Sequence, residues 1–398
     1  MVKRRLENDP ETCHKRPTAS PLTRLPAELK NAICDLLPKR DIRAVSLVSH
    51  DLRHAACDKL FGDFYLSWDS LAPTRDYLAS DSCGIAGYIH TLHITKHSSY
   101  AEWHYPELLT EFMSLCPQLS DVTMVISGSS AWLKYVGCDR VTNMTVISGQ
   151  VQRLQTFNNV NAPAKQISFD IDHLVGFPAV KTLALEGFTV QRDSILNKDG
   201  VHEIIPLSRI SADKDGSTPV TRLSPSRNET VAVKRLVLEN CIWQYPYDVK
   251  DFGSIEELEV RLSKGYTVYS HNERFHSFVL SPPPTVRRLT IDLPVEPYHQ
   301  QLSWTPLKSH RCKQLEYLSI KGFHLPGIQF AAALPASLKQ LRFEVGLTQD
   351  KEMFHRLDAQ ADSYRDTFTA STRARTLDVE LVGKLVSIEP PTFALPNY

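Results

Sequence analysis

The chain has 398 residues, of which 42% are hydrophobic and 23% are charged, so a folded protein with a sizeable core is expected and wholesale disorder is not. Its 45 basic and 45 acidic side chains give a formal net charge of zero, which argues against nucleic-acid binding through a broad basic surface. No run approaches the roughly 18–20 apolar residues that span a bilayer, so a membrane-spanning protein is not expected.

Residues 1–20 are polar and predict a flexible tail. Basic clusters at Lys3-Arg4-Arg5 and Lys15-Arg16 could form a two-part nuclear import signal, or belong to a solvated tail without that role. No apolar core follows the charged start, so a secretory signal is not indicated. The eight cysteines are scattered and form no C-x-x-C pair, which is typical of free thiols. We therefore expect an intracellular protein of the cytoplasm or nucleus.

Residues 21–66 predict a block of three short helices. Pro26 suits the first turn of a helix, where its missing N–H costs nothing. Four apolar residues then follow at the spacing of one helical stripe: Leu29, Ile33, Leu36 and Leu37. Pro38 ends this first helix, because the residue before a proline disfavours the helical conformation.

Asp41 and Ser49 can each cap a further helix, and the last helix is expected to run to about Phe61. Three short helices bury too little surface to form a stable core by themselves. The spare apolar face of the block is therefore a candidate docking surface. Residues 67–84 are interpreted as a linker that connects the block to the rest of the chain.

From residue 85 onward, a pattern recurs in which three apolar residues are separated first by two variable residues and then by one. Ten such triplets are Ile89, Leu92, Ile94; Leu119, Val122, Met124; Val141, Met144, Val146; Val180, Leu183, Leu185; Val233, Leu236, Leu238; Ile255, Leu258, Val260; Val286, Leu289, Ile291; Leu315, Leu318, Ile320; Leu338, Leu341, Phe343; and Ala374, Leu377, Val379. Segments such as "ELLTEFMSLCPQLSDVTM" place an apolar helical stretch and a proline break before the strand. Such units at spacings of mostly about 20–35 residues predict an α/β solenoid with a parallel sheet over residues 85–388.

Two segments interrupt this rhythm. Residues 190–230 are polar and turn-rich and predict an insertion. Residues 348–372 predict either a helix that leaves the array or a mobile loop, and the proline-rich residues 389–398 are expected to fray. An inward-facing residue follows three of the triplets, where it could turn the chain: Phe188, Cys241 and Phe323.

The helical block resembles an F-box, and the whole chain is similar to F-box proteins with irregular leucine-rich repeats. The matching residues are Leu25-Pro26-x-Glu28-Leu29, Ile33, Leu36-Leu37-Pro38, Asp41 and the run "AVSLVSHDLRHAA". The resemblance is specific over residues 22–62 and only architectural beyond them. It departs from the family at Leu52, where many F-boxes carry a tryptophan.

The resemblance implies that the block docks onto the adaptor subunit of a cullin–RING (SCF-type) ubiquitin ligase, and that the repeats bind a target protein. Carried over to this chain, the adaptor-facing residues are Leu25, Pro26, Leu29, Ile33, Leu36, Val48 and Leu52. Ubiquitin transfer would be performed by other subunits. The chain is therefore expected to be a non-catalytic receptor without a cofactor or a metal ion, and the residues that contact the target are unknown.

Aromatic residues near the presumed repeat edges are candidates either for interface hot spots or for half-buried packing. They are Trp103, Tyr105, Trp132, Trp243, Tyr245, Tyr247 and Trp304. No G-x-S-x-G elbow, phosphate loop or dinucleotide fingerprint is present in the sequence. The spacing of His271 and His276 does not fit a helical metal site, and His93 and His97 are expected to lie on the surface.

Two other functions remain open at this point. In the first, the chain is a repeat scaffold without a ligase role, and its N-terminal helices only cap the solenoid, because solenoids require terminal caps. In the second, the chain is a hydrolase, which would require a nucleophile and a base within hydrogen-bond reach of each other in a cleft.

Overall fold

The computed structural model describes residues 21–80, 84–96, 105–149, 167–190, 194–196, 202–204, 232–243, 254–262, 282–292, 312–322, 329–332, 334–347, 351–372 and 377–385. Both predicted tails and most of the polar insertion lie outside these residues. Four of the aromatic candidates also lie outside them: Trp103, Tyr245, Tyr247 and Trp304. The same is true of Phe323, which the sequence placed at a turn.

The N-terminal block consists of three helices, as the sequence predicts. They are α1 (Ala27–Leu36), α2 (Lys39–Ser46) and α3 (His50–Phe61). Ser49 caps α3, because its hydroxyl accepts a hydrogen bond from the Leu52 N–H at 3.2 Å. Asp41 does not cap α2, since that helix begins earlier, directly after Pro38.

The helical block has a small apolar cluster of its own, separate from the main core of the molecule. Its fully buried members are Cys34, Ile42 and Ala56. Partly buried residues pack around them, namely Leu37, Val45, Ala55 and Leu60. So small a cluster agrees with the expectation that three short helices bury little surface.

The rest of the described chain contains sixteen strands. They are β1 (Asp63–Ser67), β2 (Thr91–Lys96), β3 (Asp121–Ile126), β4 (Asn143–Ser148), β5 (Ile167–Phe169), β6 (Thr182–Glu186), β7 (Phe188–Val190), β8 (Ser194–Leu196), β9 (His202–Ile204), β10 (Arg235–Glu239), β11 (Ile242–Trp243), β12 (Glu257–Arg261), β13 (Arg288–Asp292), β14 (Tyr317–Gly322), β15 (Gln340–Leu347) and β16 (Asp378–Leu385). All except β5, β7, β8, β9 and β11 belong to one 11-stranded sheet, whose strands follow one another in chain order. Every neighbouring pair in that sheet is parallel. This sequential parallel order is the geometry of the predicted leucine-rich-repeat-like solenoid.

The apolar triplets form the interior of the solenoid. Each triplet lies on one strand of the large sheet or directly before it, and its described members are all buried. Leu236, for example, lies in register with Leu183 on one neighbouring strand and Leu258 on the other. Apolar residues at matching register positions therefore stack from repeat to repeat, and Ala374 alone among the triplet residues lies outside the described chain.

The sheet begins one repeat earlier than the sequence analysis predicted. Residues 67–84, interpreted as a linker, contain a 3₁₀ helix at Trp68–Ser70 and α4 (Leu71–Leu78), and they contribute Trp68 to the main core. The strand before them, β1, pairs in parallel with β2. The run "FGDFYL" at its start has the same apolar spacing as the ten triplets, so the signal was present in the sequence.

Helices cover the inner side of the sheet. α5 (Tyr105–Leu115) buries Leu109, Phe112 and Met113 in the main core. Near the C-terminal end, α6 (Gln329–Ala332) and α7 (Lys351–Thr372) pack against each other and α7 packs against β16. Within the predicted segment 348–372, the described residues 351–372 therefore form a helix that stays on the array, because Tyr364 and Phe368 of α7 are buried in the core.

Two small sheets complete the fold. β5, β7 and β11 form a parallel sheet that follows the ends of the main strands, and β8 and β9 form a hairpin within the predicted insertion. The chain turns between the main sheet and the small one at Gly187 and Asn240, whose φ angles are 75° and 52°. Phe188 and Cys241 follow these residues and are buried, as predicted for residues that turn the chain inward. No helix in the described ranges is both long and apolar enough to cross a bilayer.

Candidate functional site

The outer face of the helical block exposes large apolar side chains. Leu36 is 87% exposed, Leu47 78%, Val48 60% and Leu29 51%. Single exposed leucines are common in proteins, but these four belong to α1 and to the turn after α2 of one small unit. We call these four residues the outer apolar surface. It is not covered by any other described part of the chain.

The structure separates the residues that were predicted to face an adaptor. Three of them belong to the outer apolar surface, and Pro26 is also exposed. Leu25 and Ile33 are half-buried. Leu52 was expected to face the adaptor, but it is only 2% exposed, so its side chain belongs to the interior and not to the surface. Leu47 was missed, although it precedes Val48 in the same apolar run.

The packed side of α1 includes a buried lysine. Lys30 and Cys34 occupy the inner side of α1, and Lys30 Nζ lies 3.2 Å from Asp51 Oδ2 on α3. The aliphatic stem of a lysine can cover apolar surface while its charge is paired at the rim. Lys59 Nζ of α3 likewise lies 3.1 Å from Asp35 Oδ1 of α1. Two ion pairs therefore join α1 to α3.

The block is fixed to the solenoid through α3. The chain passes directly from α3 through Gly62 into β1, and the Gly62 carbonyl accepts hydrogen bonds from the N–H groups of His90 and Thr91. A Cβ atom at Gly62 would lie 2.3 Å from the Asp58 carbonyl oxygen, so a side chain does not fit there. α3 and Gly62 therefore form the junction between the block and the sheet.

The N-terminal half of the solvent-facing sheet surface carries few charges. Tyr65 of β1 is 61% exposed and stacks on His93 of β2, with ring centroids 4.3 Å apart and an interplanar angle of 10°. Thr123 and Thr145 follow at the same register position on β3 and β4. This half therefore presents an aromatic pair and hydroxyl groups. His93 is half-buried under Tyr65, so it is a packed surface residue, as expected.

The C-terminal half of the same surface carries a network of ion pairs. Arg235 and Arg261 both reach Glu259, at 3.0 and 2.7 Å, and Lys321 Nζ lies 3.0 Å from Asp292 Oδ1. Burial by itself would raise the pKa of Glu259, but hydrogen bonds from Arg261 and Arg235 outweigh it and lower that pKa. Further pairs within 4.0 Å join Arg235 with Glu257, Arg261 with Glu239, Arg288 with Glu257, and Arg342 with Glu380.

A second row of charges lies directly before the strands. Lys234 Nζ lies 2.7 Å from Glu256 Oε1, and Lys339 Nζ lies 2.9 Å from Glu316 Oε2. The hydrogen bond from each lysine lowers the pKa of its glutamate. Arg287 occupies the same row between the two glutamates. Exposed pairs of this kind add little stability each, so their main effect is on the charge pattern that a partner would meet.

A shallow depression opens at this end of the sheet, with a volume of about 410 Å³. It spans the starts of β13, β14, β15 and β16. Its lining consists of Arg287, Arg288, Glu316, Tyr317, Lys339, Gln340 and Asp378. The Arg288 guanidinium lies over the Tyr317 ring, 4.3 Å from its centroid, which is a cation–π contact.

Two of the aromatic candidates, Tyr105 and Trp132, are packing residues. Tyr105 and Trp132 pack against Trp68, with ring centroids 4.7 and 5.4 Å away. Trp68 is buried, and its indole N–H donates to the Val125 carbonyl at 3.0 Å. This cluster closes the ends of the first strands. Trp243 forms part of β11.

A serine–histidine contact exists in the interior, but not in a cleft. Ser130 Oγ lies 2.9 Å from His173 Nδ1, and the two residues are 1% and 5% exposed. A substrate carbonyl has no route to a hydroxyl that is buried to this degree, so the contact lacks the cleft that the hydrolase alternative requires. Among the described residues, no group of three or more His, Cys, Asp or Glu side chains could hold a metal ion.

No family model matches the chain, and no curated protein matches it. Among solved structures, the chain is similar to the leucine-rich repeat-containing protein LegL7 from Legionella pneumophila, with 12% identity over 78% of this chain and 98% of that chain and a TM-score of 0.30. It is also similar to an internalin (inlF) from Listeria monocytogenes, with 11% identity over 84% and 93% of the two chains and a TM-score of 0.25. Likenesses this weak say nothing about function. The strand order and register of the chain itself define a leucine-rich-repeat-like solenoid.

Proposed function

We propose that this chain is a substrate-receptor subunit of a cullin–RING ubiquitin ligase. In this proposal, the outer apolar surface of the helical block binds the small adaptor subunit of the ligase, and the solvent-facing side of the solenoid sheet binds the target protein. The chain itself performs no chemistry. The proposal combines the F-box resemblance of the sequence with one structural observation, which is the set of large apolar side chains exposed on α1 and after α2.

The exposure of Leu36 supports docking over a purely structural role for the block. A helical unit that only caps a solenoid is expected to present a polar outer face to solvent. Here the polar Lys30 is turned inward while Leu36 is 87% exposed. Exposed apolar residues are costly for solubility, and burial at an interface removes that cost.

Co-purification with the adaptor tests the proposal. The full-length chain is co-expressed with the adaptor subunit, and the double variant Leu29→Asp, Leu36→Asp is compared with the wild type. We expect the double variant to retain at least tenfold less adaptor, because charges placed at the centre of an apolar interface are not compensated. Tyr77→Asp is the matched control, since Tyr77 is 57% exposed on α4, outside the block.

Circular dichroism and thermal melting of the variants separate loss of docking from loss of folding. All three substituted side chains are exposed, so the variants should melt close to the wild type. If the folded wild-type chain retains no adaptor, the ligase role is wrong, and the non-ligase scaffold with a capping block becomes the better description. If the double variant and the Tyr77 control retain the same amount, the outer apolar surface is not the docking site.

A further inference from the structure

Two charged residues on the C-terminal half of the sheet surface take no part in the ion-pair network. Arg287 and Asp378 have no ion pair within the part of the chain that the structure describes, although both line the depression. The other basic side chains of this surface are paired within 4.0 Å, namely Lys234, Arg235, Arg261, Arg288, Lys321, Lys339 and Arg342. Glu256 and Glu316, the glutamates beside Arg287, are each paired with a lysine, and the positive charge of Arg287 lowers the pKa of both. The row before the strands therefore keeps one net positive charge at Arg287, and Asp378 supplies a negative charge that no described ion pair within 4.0 Å neutralises.

These two charges lie at opposite ends of the depression. Arg287 directly precedes β13 and Asp378 begins β16, and two strands lie between them. Three strand spacings correspond to about 14 Å, at roughly 4.8 Å for each spacing. An extended peptide advances about 3.4 Å per residue, so it covers this distance in about four residues.

The surface between the two charges suits an extended backbone. The floor is formed by Tyr317, whose ring is held by the Arg288 guanidinium, and by the Gln340 amide. The Arg288 guanidinium covers one face of the Tyr317 ring, and the Gln340 amide can both donate hydrogen bonds to a peptide backbone and accept them from it. Lys339 is already paired with Glu316, so it does not compete with Arg287 for an acidic group.

We propose that the depression binds an extended segment of a partner protein that carries an acidic and a basic residue four positions apart. The acidic residue pairs with the Arg287 guanidinium, which can hold a carboxylate through two N–H groups. The basic residue pairs with the Asp378 carboxylate. The assignment of this segment to a degradation target rests on the proposed function, whereas the binding itself does not.

Selection of peptides tests this inference. A phage-displayed library of random twelve-residue peptides is selected on the immobilised full-length chain. We expect enrichment of an acidic and a basic residue four positions apart. Arg287→Glu should weaken the best wild-type peptide by about threefold to tenfold, as measured by fluorescence polarisation with the labelled peptide. The charge-swapped variant Arg287→Glu, Asp378→Lys should enrich the opposite order of charges at the same spacing.

Lys181→Glu is the matched control. Lys181 is exposed and directly precedes β6, as Arg287 precedes β13, but it lies outside the depression. Selection on this variant should give the wild-type result. Enrichment without the four-residue spacing, or the same enrichment on the charge-swapped variant as on the wild type, would overturn the inference.

The adaptor experiment keeps this inference distinct from the proposed function. Arg287 and Asp378 are far along the chain from the helical block, so the charge-swapped variant should retain the adaptor as well as the wild type does. Failure of the peptide selection with intact adaptor binding overturns the peptide site alone. Loss of adaptor binding by the wild type, with peptide selection intact, overturns the ligase role and leaves the peptide site standing.

Discussion

The solenoid and the helical block use apolar residues in opposite ways. In the solenoid, residues at the repeat positions are buried on every strand, as Leu183 and Leu289 are. In the block, the regular apolar stripe of α1 is turned to solvent at Leu29 and Leu36, while Lys30 is buried. The same kind of sequence signal, a periodic set of leucines, therefore marks the interior in one region and the exterior in the other.

The difference follows from the number of neighbours that each unit has. A repeat in a stack has another repeat on each side and covers its apolar residues with identical register positions. The block has three short helices, and its described hydrogen bonds to the solenoid come from α3 and Gly62. It can fill one small cluster around Ile42, and the remaining apolar residues have nothing in the described chain to cover them.

The largest expected effect comes from truncating one apolar side chain in each of the two regions and comparing the losses of stability. Phe112→Ala on α5 should lower the free energy of unfolding by about 3–5 kcal/mol, because Phe112 is fully buried in the main core. Leu36→Ala should change it by no more than about 0.5 kcal/mol, since the side chain is already in water. Urea unfolding of both variants measures the difference. A loss above about 2 kcal/mol for Leu36→Ala would mean that its side chain is covered within the chain.

A smaller effect concerns the alkaline stability of the solenoid. Burial raises the pKa of Tyr364 to about 12, above a reference value of about 10 in an unfolded chain. Because the folded state favours the neutral phenol, the raised pKa contributes to the free energy of unfolding. This contribution is at most about a few kcal/mol; it is fully present below pH 10 and is lost as the pH rises through 12. Tyr364→Phe should therefore lose less stability than the wild type between pH 10 and 12, as followed by urea titrations at each pH.

Equal losses of stability in the wild type and in Tyr364→Phe would place the Tyr364 hydroxyl in water. Tyr65→Phe is the control for that experiment, because Tyr65 is 61% exposed on the sheet surface. Other tyrosines and lysines also titrate in this range, so only the difference between each variant and the wild type is informative.

The smallest change in the free energy of unfolding is expected at a polar residue that is buried in the solenoid, whereas the leucines of the block are apolar and exposed. Ser148 is fully buried at the end of β4, and its hydroxyl has no hydrogen-bond partner in the described part of the chain. Ser148→Ala should raise the free energy of unfolding by about 1 kcal/mol, because a buried unsatisfied hydroxyl is removed. Ser130→Ala should lower it by a similar amount, since Ser130 is bonded to His173. Thermal melting compares the two, and destabilisation by Ser148→Ala would show that its hydroxyl is satisfied.

Most of the solenoid could be predicted from the sequence because each repeat carries its own signal. Nine of the ten triplets place two inward residues on a strand of the large sheet, and the chain order of the triplets is the order of the strands. The first strand was missed although "FGDFYL" has the same spacing, and the residues after it were taken for a linker. Trp68, buried in the core, was the residue that argued against a linker.

The sequence by itself determined the three helices of the block and all strands of the large sheet except β1, because those elements depend on local spacing, caps and prolines. It did not determine which side of α1 faces solvent, since that depends on how α1 packs against α3, where Lys30 and Cys34 are buried. Nor could it show that Leu52 is interior, or that Arg287 and Asp378 meet at one depression, because residues far apart in the chain are brought together only by the parallel stacking of the strands.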